Sequence, residues 1–171
     1  MVADARKKPE LFALLYDRYV IRVYRYMLHH TGNDVEAEDL TSQAFLDALK
    51  SLPKLSLKIP FGAWLFTIAR RRVADYYRAL HPTTSLDETP DLPSSEGDPL
   101  KQVIQTERLY HLERQIAQLE EREREILRLR FSAELSFLEI GMLIGQKENT
   151  VKKSFYRLLD RLGSQMESKN D

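Results

Sequence analysis

The sequence predicts an all-α protein with two small helical domains joined by a flexible acidic linker. Apolar residues recur at helical spacing over most of the 171-residue chain. No stretch shows the alternation of polar and apolar residues that marks a half-buried strand. Residues 82–99, PTTSLDETPDLPSSEGDP, hold four of the seven prolines and almost no large apolar side chain, so this segment cannot bury enough surface to offset its ordering entropy. The predicted units are a helical bundle over 1–81, a linker over 82–99 and a four-helix domain over 100–171.

Three helices are predicted in the first half, over about 10–30, 35–52 and 61–80. Thr31-Gly32-Asn33-Asp34 ends the first helix and caps the second, and Pro53 ends the second. Spacing predicts that one apolar stripe of each helix faces the core. The predicted core residues are Leu11, Leu14, Leu15, Val20, Val23 and Met27, then Leu40, Ala44, Phe45, Ala48 and Leu49, then Trp64, Leu65, Ile68, Val73 and Tyr76.

The second half is predicted to hold helices over about 100–118 and 120–131, followed by two helices that meet at a tight turn between 136 and 162. Gly145 permits the left-handed conformation that ends a helix, and Gly141 allows the last two helices to cross closely. Val151, Phe155, Leu158, Leu159 and Leu162 form one apolar stripe, which leaves Lys152, Lys153, Tyr156 and Arg157 outward. This spacing is typical of a DNA-binding helix-turn-helix.

Composition excludes several classes of protein. Net charge is zero overall, but it is +4 over 1–80 (13 basic, 9 acidic), −5 over 81–100 (no Lys or Arg, five acidic) and +1 over 101–171 (13 basic, 12 acidic). No cysteine occurs, so disulfides and thiolate metal sites are excluded. No signal peptide or membrane span is visible, which predicts a cytoplasmic protein without membrane insertion.

No catalytic chemistry is indicated either. The four histidines have no zinc-ligand spacing, and the six glycines form no phosphate-binding loop. Glu120, Glu121, Glu123 and Glu125 alternate with arginines, which favours a surface ion-pair lattice over a raised-pKa acid. We therefore expect no enzyme activity, no catalytic residue, no cofactor and no metal.

The third helix carries Arg70, Arg71 and Arg72 in succession, with tyrosines nearby. This pattern suits a surface that follows a nucleic-acid backbone and stacks on unpaired bases. A solvated helix flank with aromatic packing accounts for the same residue types equally well. Trp64 could act as a wedge between bases, but a lone tryptophan on an apolar helical face is more often part of the core.

Three segments in order, EAEDLTSQAFLDALKSL, FGAWLFTIARRRVADYYRA and LEEREREILRLRFSAELSFLEIGMLIGQKENTVKKSFYRLLDRL, resemble conserved regions two and four of extracytoplasmic-function sigma factors. These are promoter-specificity subunits of bacterial RNA polymerase. The resemblance covers roughly residues 10–80 and 105–163. It implies three partners: core polymerase, through its clamp helices and flap, promoter DNA, and in many relatives an anti-sigma factor.

The resemblance assigns roles to residues by their position in these motifs. The second helix would bind polymerase, the loop before the third helix and the third helix itself would bind the minus-ten element, and the last helix would bind the minus-thirty-five element. The polymerase-binding set is Glu36, Glu38, Asp39, Gln43 and Asp47. The DNA-binding set is Ser56, Lys58, Arg70, Arg71, Arg72 and Arg78, with Lys147, Glu148, Asn149, Thr150, Lys152, Lys153 and Arg157.

Simpler physical causes could account for parts of this pattern. The acidic residues that begin the second helix also suit the positive end of its dipole. The resemblance implies that the acidic linker could occupy a basic surface of polymerase, but a solvated tether accounts for its composition equally well. Gln146, Lys147 and Ser154 depart from the family pattern, with Asn149 as a replacement cap, and imply modest intrinsic DNA affinity. Ser42, Gln43 and Leu49 depart from it in the second helix. The alternatives to a sigma factor are a stand-alone helix-turn-helix regulator and a protein-binding helical adaptor.

Overall fold

The computed structural model describes residues 9–80 and 109–167, and within these ranges every regular element is helical. The first half holds α1 (Phe12–Thr31), α2 (Asp34–Ser51) and α3 (Phe61–Leu80), with short 3₁₀ turns at Pro9–Leu11 and Leu52–Lys54. The second half holds α4 (109–117), α5 (Glu121–Leu127), a π-helical turn (Arg128–Ser132), α6 (Phe137–Ile144) and α7 (Glu148–Glu167). The predicted linker, 82–99, lies outside the described residues.

The turn between α1 and α2 has the predicted chemistry. Gly32 adopts φ 62° and donates its N–H to the Leu28 carbonyl, which ends α1. The Asn33 side chain then accepts from the Glu36 N–H at 3.1 Å and caps α2. The predicted all-helical fold and these two caps are confirmed.

The core of the first half differs from prediction at two positions. Leu14 and Leu49 were expected inside, but their side chains are 51% and 40% exposed. The inward stripe of α1 is instead completed by Tyr26 and His30, which are buried. Leu14 lies on the other side of α1 from these two residues. Tyr26 and His30 both contact Glu125 in the second half of the chain.

The helix-turn-helix forms as its glycines predict. Gly145 has φ 69°, and a Cβ on Gly141 would come within 2.6 Å of the Gln146 carbonyl oxygen, so only glycine permits the close crossing of α6 and α7. Ser136 and Glu139 form a reciprocal capping box at the start of α6. The expected cap at Asn149 is wrong, because α7 already begins at Glu148.

The two halves pack against each other rather than standing apart. Helix α1 contacts the π-helical turn, and α3 contacts α6. The buried apolar residues of both halves form one continuous cluster, which includes Phe66 of α3 and Leu129 of the π-helical turn. Within the described ranges, no helix is long and apolar enough to cross a membrane.

Candidate nucleic-acid interface

Helix α7 separates an apolar face from a cationic one. Its predicted stripe packs inward, with Leu159 half-buried and the other four members buried. The opposite face is exposed over its whole predicted length: Lys147 just before the helix, then Glu148, Asn149, Thr150, Lys152, Lys153 and Arg157. Four cations therefore lie on one surface at and beyond the start of the helix, where a helix-turn-helix meets a groove.

The three consecutive arginines of α3 lie in three different environments. Arg71 is the free one, with 82% of its side chain exposed and Asp75 only at 4.0 Å. Arg72 donates to Asp47 Oδ2 on α2 at 2.7 Å. Arg70 reaches the second half of the chain, where its Nη1 donates to the Leu143 carbonyl at 2.9 Å. Sequence alone could not distinguish these environments, because the deciding partners are distant in the chain.

The two predicted binding sets meet at one ion pair between α2 and α3. Arg72 belongs to the predicted DNA set and Asp47 to the predicted polymerase set, yet the two side chains pair with each other. Gln43 joins them, since its Oε1 accepts from Arg72 Nη1 at 3.4 Å. Arg78 is exposed but pairs with Asp75 on its own helix. These contacts hold α2 against α3 and leave fewer free charges than the sequence suggested.

Three carboxylates of the predicted polymerase-binding set are exposed on α2: Glu36, Glu38 and Asp39. Glu36 lies in the first turn of α2, where the positive end of the helix dipole favours an acid. Asp39 accepts from the Gln43 side chain at 2.6 Å. Because the dipole effect fades beyond the first turn, it does not account for Glu38 and Asp39.

The loop before α3 exposes both predicted residues. Ser56 is partly committed to the loop itself, since its side chain accepts from the Lys58 N–H at 3.4 Å. Lys58 extends an exposed side chain. Leu57 and Ile59, which the sequence did not single out, are 57% and 44% exposed and give the loop an apolar surface. Trp64 is half-buried against Phe61, with ring centroids 5.4 Å apart.

A buried polar cluster, centred on Glu125 of α5, was not predicted. Glu125 was expected in a surface ion-pair lattice, but it is 8% exposed and lies between the two halves. Its Oε1 accepts from the Tyr26 hydroxyl at 2.8 Å and lies 3.1 Å from Arg70 Nε. Its Oε2 lies 3.4 Å from His30 Nε2 and 3.8 Å from Arg128 Nη1. We call Tyr26, His30, Arg70, Glu125 and Arg128 the Glu125 cluster.

The rest of the expected lattice does lie at the surface. Glu121 pairs with Arg124 at 3.0 Å and with Arg128 at 2.6 Å. Glu123 pairs with Arg161 of α7 at 2.7 Å. The interpretation was wrong for Glu125, because a pattern of alternating charges does not reveal which side of the helix meets another domain.

The cluster shifts the pKa values of two of its members. Burial by itself would raise the pKa of Glu125, but the contacts with His30, followed by the charge of Arg70 and the hydroxyl of Tyr26, outweigh burial and lower it. Burial, with the neighbouring carboxylate, raises the pKa of Tyr26 well above its ordinary value. The cluster therefore holds an ionised carboxylate and a protonated phenol.

A second polar contact joins the halves near the cluster. Arg22 donates from Nε to the Ala133 carbonyl at 2.7 Å and from Nη2 to the Glu134 carbonyl at 2.8 Å. Glu134 adopts φ 52°, and its side chain pairs with Arg25 at 3.3 Å. The missed signal is spacing: residues 22, 26 and 30 fall on one face of α1 at intervals of four.

No group of histidine, aspartate and glutamate side chains in residues 9–80 and 109–167 could hold a metal ion. Most of the predicted site residues lie on three helices. Acidic side chains lie on α2, arginines on α3, and lysines with one arginine and Glu148 on α7.

Comparison with known proteins shows which family the chain belongs to. A family model described as Sigma-70 region 2 matches residues 15–82, and one described as Sigma-70, region 4 matches residues 116–162. The ECF RNA polymerase sigma factor BldN of Streptomyces coelicolor is 35% identical over 158 residues, covering 90% of this chain and 59% of BldN. This chain thus spans less than two thirds of the length of BldN.

A second relative is matched over most of its length. The ECF RNA polymerase sigma factor SigW of Bacillus subtilis is 27% identical over 169 residues, covering 92% of this chain and 89% of SigW. The solved structure of CnrH in complex with the cytosolic domain of CnrY has the same fold, with a TM-score of 0.66 at 18% identity, covering 98% of this chain and 95% of the other. Since both sigma-70 regions are matched in order and together span most of it, the chain belongs to the sigma-70 family, in the extracytoplasmic-function group of RNA polymerase sigma factors.

Proposed function

We propose that this chain binds core RNA polymerase, directs it to specific promoters and helps to melt the DNA as transcription begins. One observation carries the proposal: the exposed acidic face of α2, the arginines of α3 and the cationic face of α7 follow one another along the chain in the order of the family's tasks. Polymerase would perform the chemistry, and the chain would act in the cytoplasm. An anti-sigma factor is a proposed further partner on the same family grounds.

Polymerase binding is assigned chiefly to Glu38 and Asp39 of α2. Both are exposed, and their place beyond the first turn leaves them without the dipole stabilisation that accounts for Glu36. Gln43 and Asp47 would contribute less, because they already bond to Arg72. The basic clamp surface of polymerase is the partner that such acceptors would fit.

Contact with the minus-ten element is assigned to α3 and to the loop before it. Arg71 is the strongest candidate, since its guanidinium is largely free. Lys58, Ser56 and Arg78 lie exposed on the same half of the chain. Leu57 and Ile59 add an apolar loop surface against which an unstacked base could pack, and this packing would offset the few kcal/mol that unstacking costs.

Contact with the minus-thirty-five element is assigned to α7. Lys147, Lys152, Lys153 and Arg157 could each neutralise a phosphate or reach a base edge. Four phosphate contacts would give a slope of log K against log salt of about −3.6, which is shallow for a DNA-binding protein. Tethering to polymerase would therefore supply much of the effective affinity.

Run-off transcription with core polymerase tests the proposal. A transcript that starts at defined promoters of a genomic library should appear only when this chain is added. The double variant Lys152→Ala/Lys153→Ala should reduce that transcript at least tenfold at physiological salt, because two phosphate contacts are lost. The matched control Arg114→Ala removes an exposed cation of α4 and should leave the transcript unchanged. Absence of any promoter-dependent transcript would favour a stand-alone regulator.

A further inference from the structure

The side-chain amide of Gln43 lies between the two predicted binding sets of the first half. It bonds to Asp39 of α2 on one side and to Arg72 of α3 on the other. We propose that Gln43 is a positioning residue, which holds the Asp39 carboxylate in the orientation that polymerase binds, and that Arg72 acts on polymerase binding by holding this amide. The inference rests on the proposed function, since it concerns the polymerase surface of α2.

The nitrogen end of the amide holds Asp39. Gln43 Nε2 donates to Asp39 Oδ2 at 2.6 Å, from one turn further along the same helix. Asp39 makes no ion pair with any residue in 9–80 and 109–167, so this hydrogen bond is what orders its carboxylate. A carboxylate can accept about four hydrogen bonds, and the remaining acceptor positions of Asp39 are therefore open to a cation of polymerase.

The oxygen end of the amide is held by α3. Arg72 Nη1 donates to Gln43 Oε1 at 3.4 Å, while its Nε donates to Asp47 at 2.7 Å. A guanidinium only donates and an ionised carboxylate only accepts. Between these two groups the amide has one favourable orientation, with its oxygen toward Arg72 and its nitrogen toward Asp39. Arg72 thus fixes the amide, and the amide fixes the carboxylate.

The exposure of the three side chains fits this division of roles. Asp39 is exposed, Gln43 is half-buried, and the Arg72 side chain is 29% exposed. The residue that polymerase reaches most easily is therefore Asp39, and the two residues that fix it are less accessible. Because folding already orders Asp39, association does not have to meet the entropy cost of ordering that side chain.

Equilibrium binding of the complete chain to core polymerase tests the inference. DNA is left out, so a contact between Arg72 and a phosphate cannot contribute. Gln43→Met keeps the length of the side chain and its helix propensity but removes both polar ends. It should lower the affinity about fivefold, because Asp39 must then be ordered during binding. Arg72→Met should lower it about twofold, since Gln43 loses one of its two contacts, and should have no further effect in the Gln43→Met chain.

The Asp39→Ala chain separates positioning from direct contact. If Gln43 acts through Asp39, Gln43→Met should leave the affinity of the Asp39→Ala chain unchanged. A Gln43 side chain that touched polymerase itself, or that only packed α2 against α3, would lower the affinity of that chain as well. Gln118→Met, the same change at an exposed glutamine that follows α4, is the matched control and should leave the affinity unchanged in both chains.

Nuclear magnetic resonance of the free chain tests the hydrogen bonds without polymerase. The probe is the pair of side-chain amide protons of Gln43, assigned by their loss in Gln43→Met. A hydrogen bond to a carboxylate should move the bonded proton downfield of its counterpart in the exposed Gln118. Asp39→Ala should abolish this shift, and Arg72→Met should reduce it.

Three outcomes would overturn the inference: a Gln43 amide whose protons resemble those of Gln118, an effect of Gln43→Met that persists in the Asp39→Ala chain, or losses from Gln43→Met and Arg72→Met that add. A failure of the proposed function looks different. In that case the shift of the Gln43 amide would depend on Asp39 and Arg72 as expected, while the wild-type chain would not bind core polymerase.

Discussion

At the scale of single residues, Glu125 is a carboxylate that is buried and nevertheless ionised. Glu125 is almost inaccessible, and it stays ionised because two arginines, an imidazole and a phenol from three other elements face it: Tyr26 and His30 from α1, Arg70 from α3 and Arg128 from the π-helical turn. A buried charge that lost these partners would cost several kcal/mol. The side chain thus makes the two halves dependent on each other.

Docking of the two halves against each other should therefore depend on pH. Docking lowers the pKa of Glu125, so its contribution is complete above the ordinary carboxyl pKa of about 4.3 and is lost as pH falls through the docked value. For Tyr26, whose pKa is raised, the contribution is present below about pH 10 and is lost only above it. Energy transfer between dyes on the two halves should therefore fall in acid through Glu125 and in strong alkali through Tyr26.

Glu125→Gln should flatten the acid limb of that profile while the alkaline limb remains. The helical circular dichroism signal, recorded in parallel, separates undocking from unfolding of the whole chain. An acid limb of equal amplitude in the variant would show that other carboxylates control docking.

Three glycines allow a graded test of the helix-turn-helix. Gly145→Ala should destabilise the chain by about 1 kcal/mol, because its φ of 69° disfavours a Cβ. Gly141→Ala should cost more, since the Cβ would meet a backbone carbonyl at 2.6 Å, which cannot rotate away. Gly163→Ala is the control: it lies within α7 with open space around it, and should stabilise by about 0.5–1 kcal/mol.

Urea denaturation measures all three changes on one scale. The order Gly163→Ala, wild type, Gly145→Ala, Gly141→Ala, from most to least stable, is the expected result. A neutral Gly141→Ala would mean that α6 and α7 do not approach as closely as described.

At the scale of elements, local chemistry was readable from the sequence and distant packing was not. Gly32 and Asn33 end one helix and cap the next through bonds that span at most four residues, so residue types alone predicted them. Gly141 and Gly145 predicted the turn for the same reason. Leu14 was misplaced because the buried face of α1 includes Phe12, Tyr26 and His30 and lies on the other side of the helix from Leu14.

In the candidate site too, local features were predictable from the sequence and distant contacts were not. The outward face of α7 could be predicted, since it is the complement of a regular apolar stripe. The environments of Arg70, Arg71 and Arg72 could not, because Arg70 bonds 73 positions away and Arg72 bonds 25 positions away. Burial of Glu125 was missed for the same physical reason, as its hydroxyl partner is 99 positions distant.

The contact between Asp47 of α2 and Arg72 of α3 can be tested for its role. Asp47 either stabilises the fold or binds polymerase. If Asp47 mainly anchors Arg72, a double-mutant cycle on Asp47→Ala and Arg72→Ala should show a coupling of about 1 kcal/mol in unfolding free energy, kept modest because both side chains are about one-third exposed. Thermal or urea unfolding of the four proteins measures it.

Binding of core polymerase to the same four proteins completes this test. Asp47→Ala should lower affinity little, whereas Asp39→Ala, on the exposed face of the same helix, should lower it clearly. A strong loss of polymerase binding with Asp47→Ala, in the absence of coupling to Arg72, would place Asp47 in the interface instead.

At the scale of the whole molecule, the two surfaces that we propose to contact DNA differ in exposure. The cations of α7 are open, while Arg70 of α3 is engaged by the other half.

Footprinting of the assembled holoenzyme on a promoter identified by run-off transcription tests the central claim most directly. We expect two protected patches, an upstream one that depends on α7 and a downstream one that depends on α3. Lys152→Ala/Lys153→Ala should weaken the upstream patch, and Arg70→Ala/Arg71→Ala should weaken the downstream patch and the open complex while polymerase binding is retained. Protection of neither patch by a holoenzyme that contains this chain would contradict the claim.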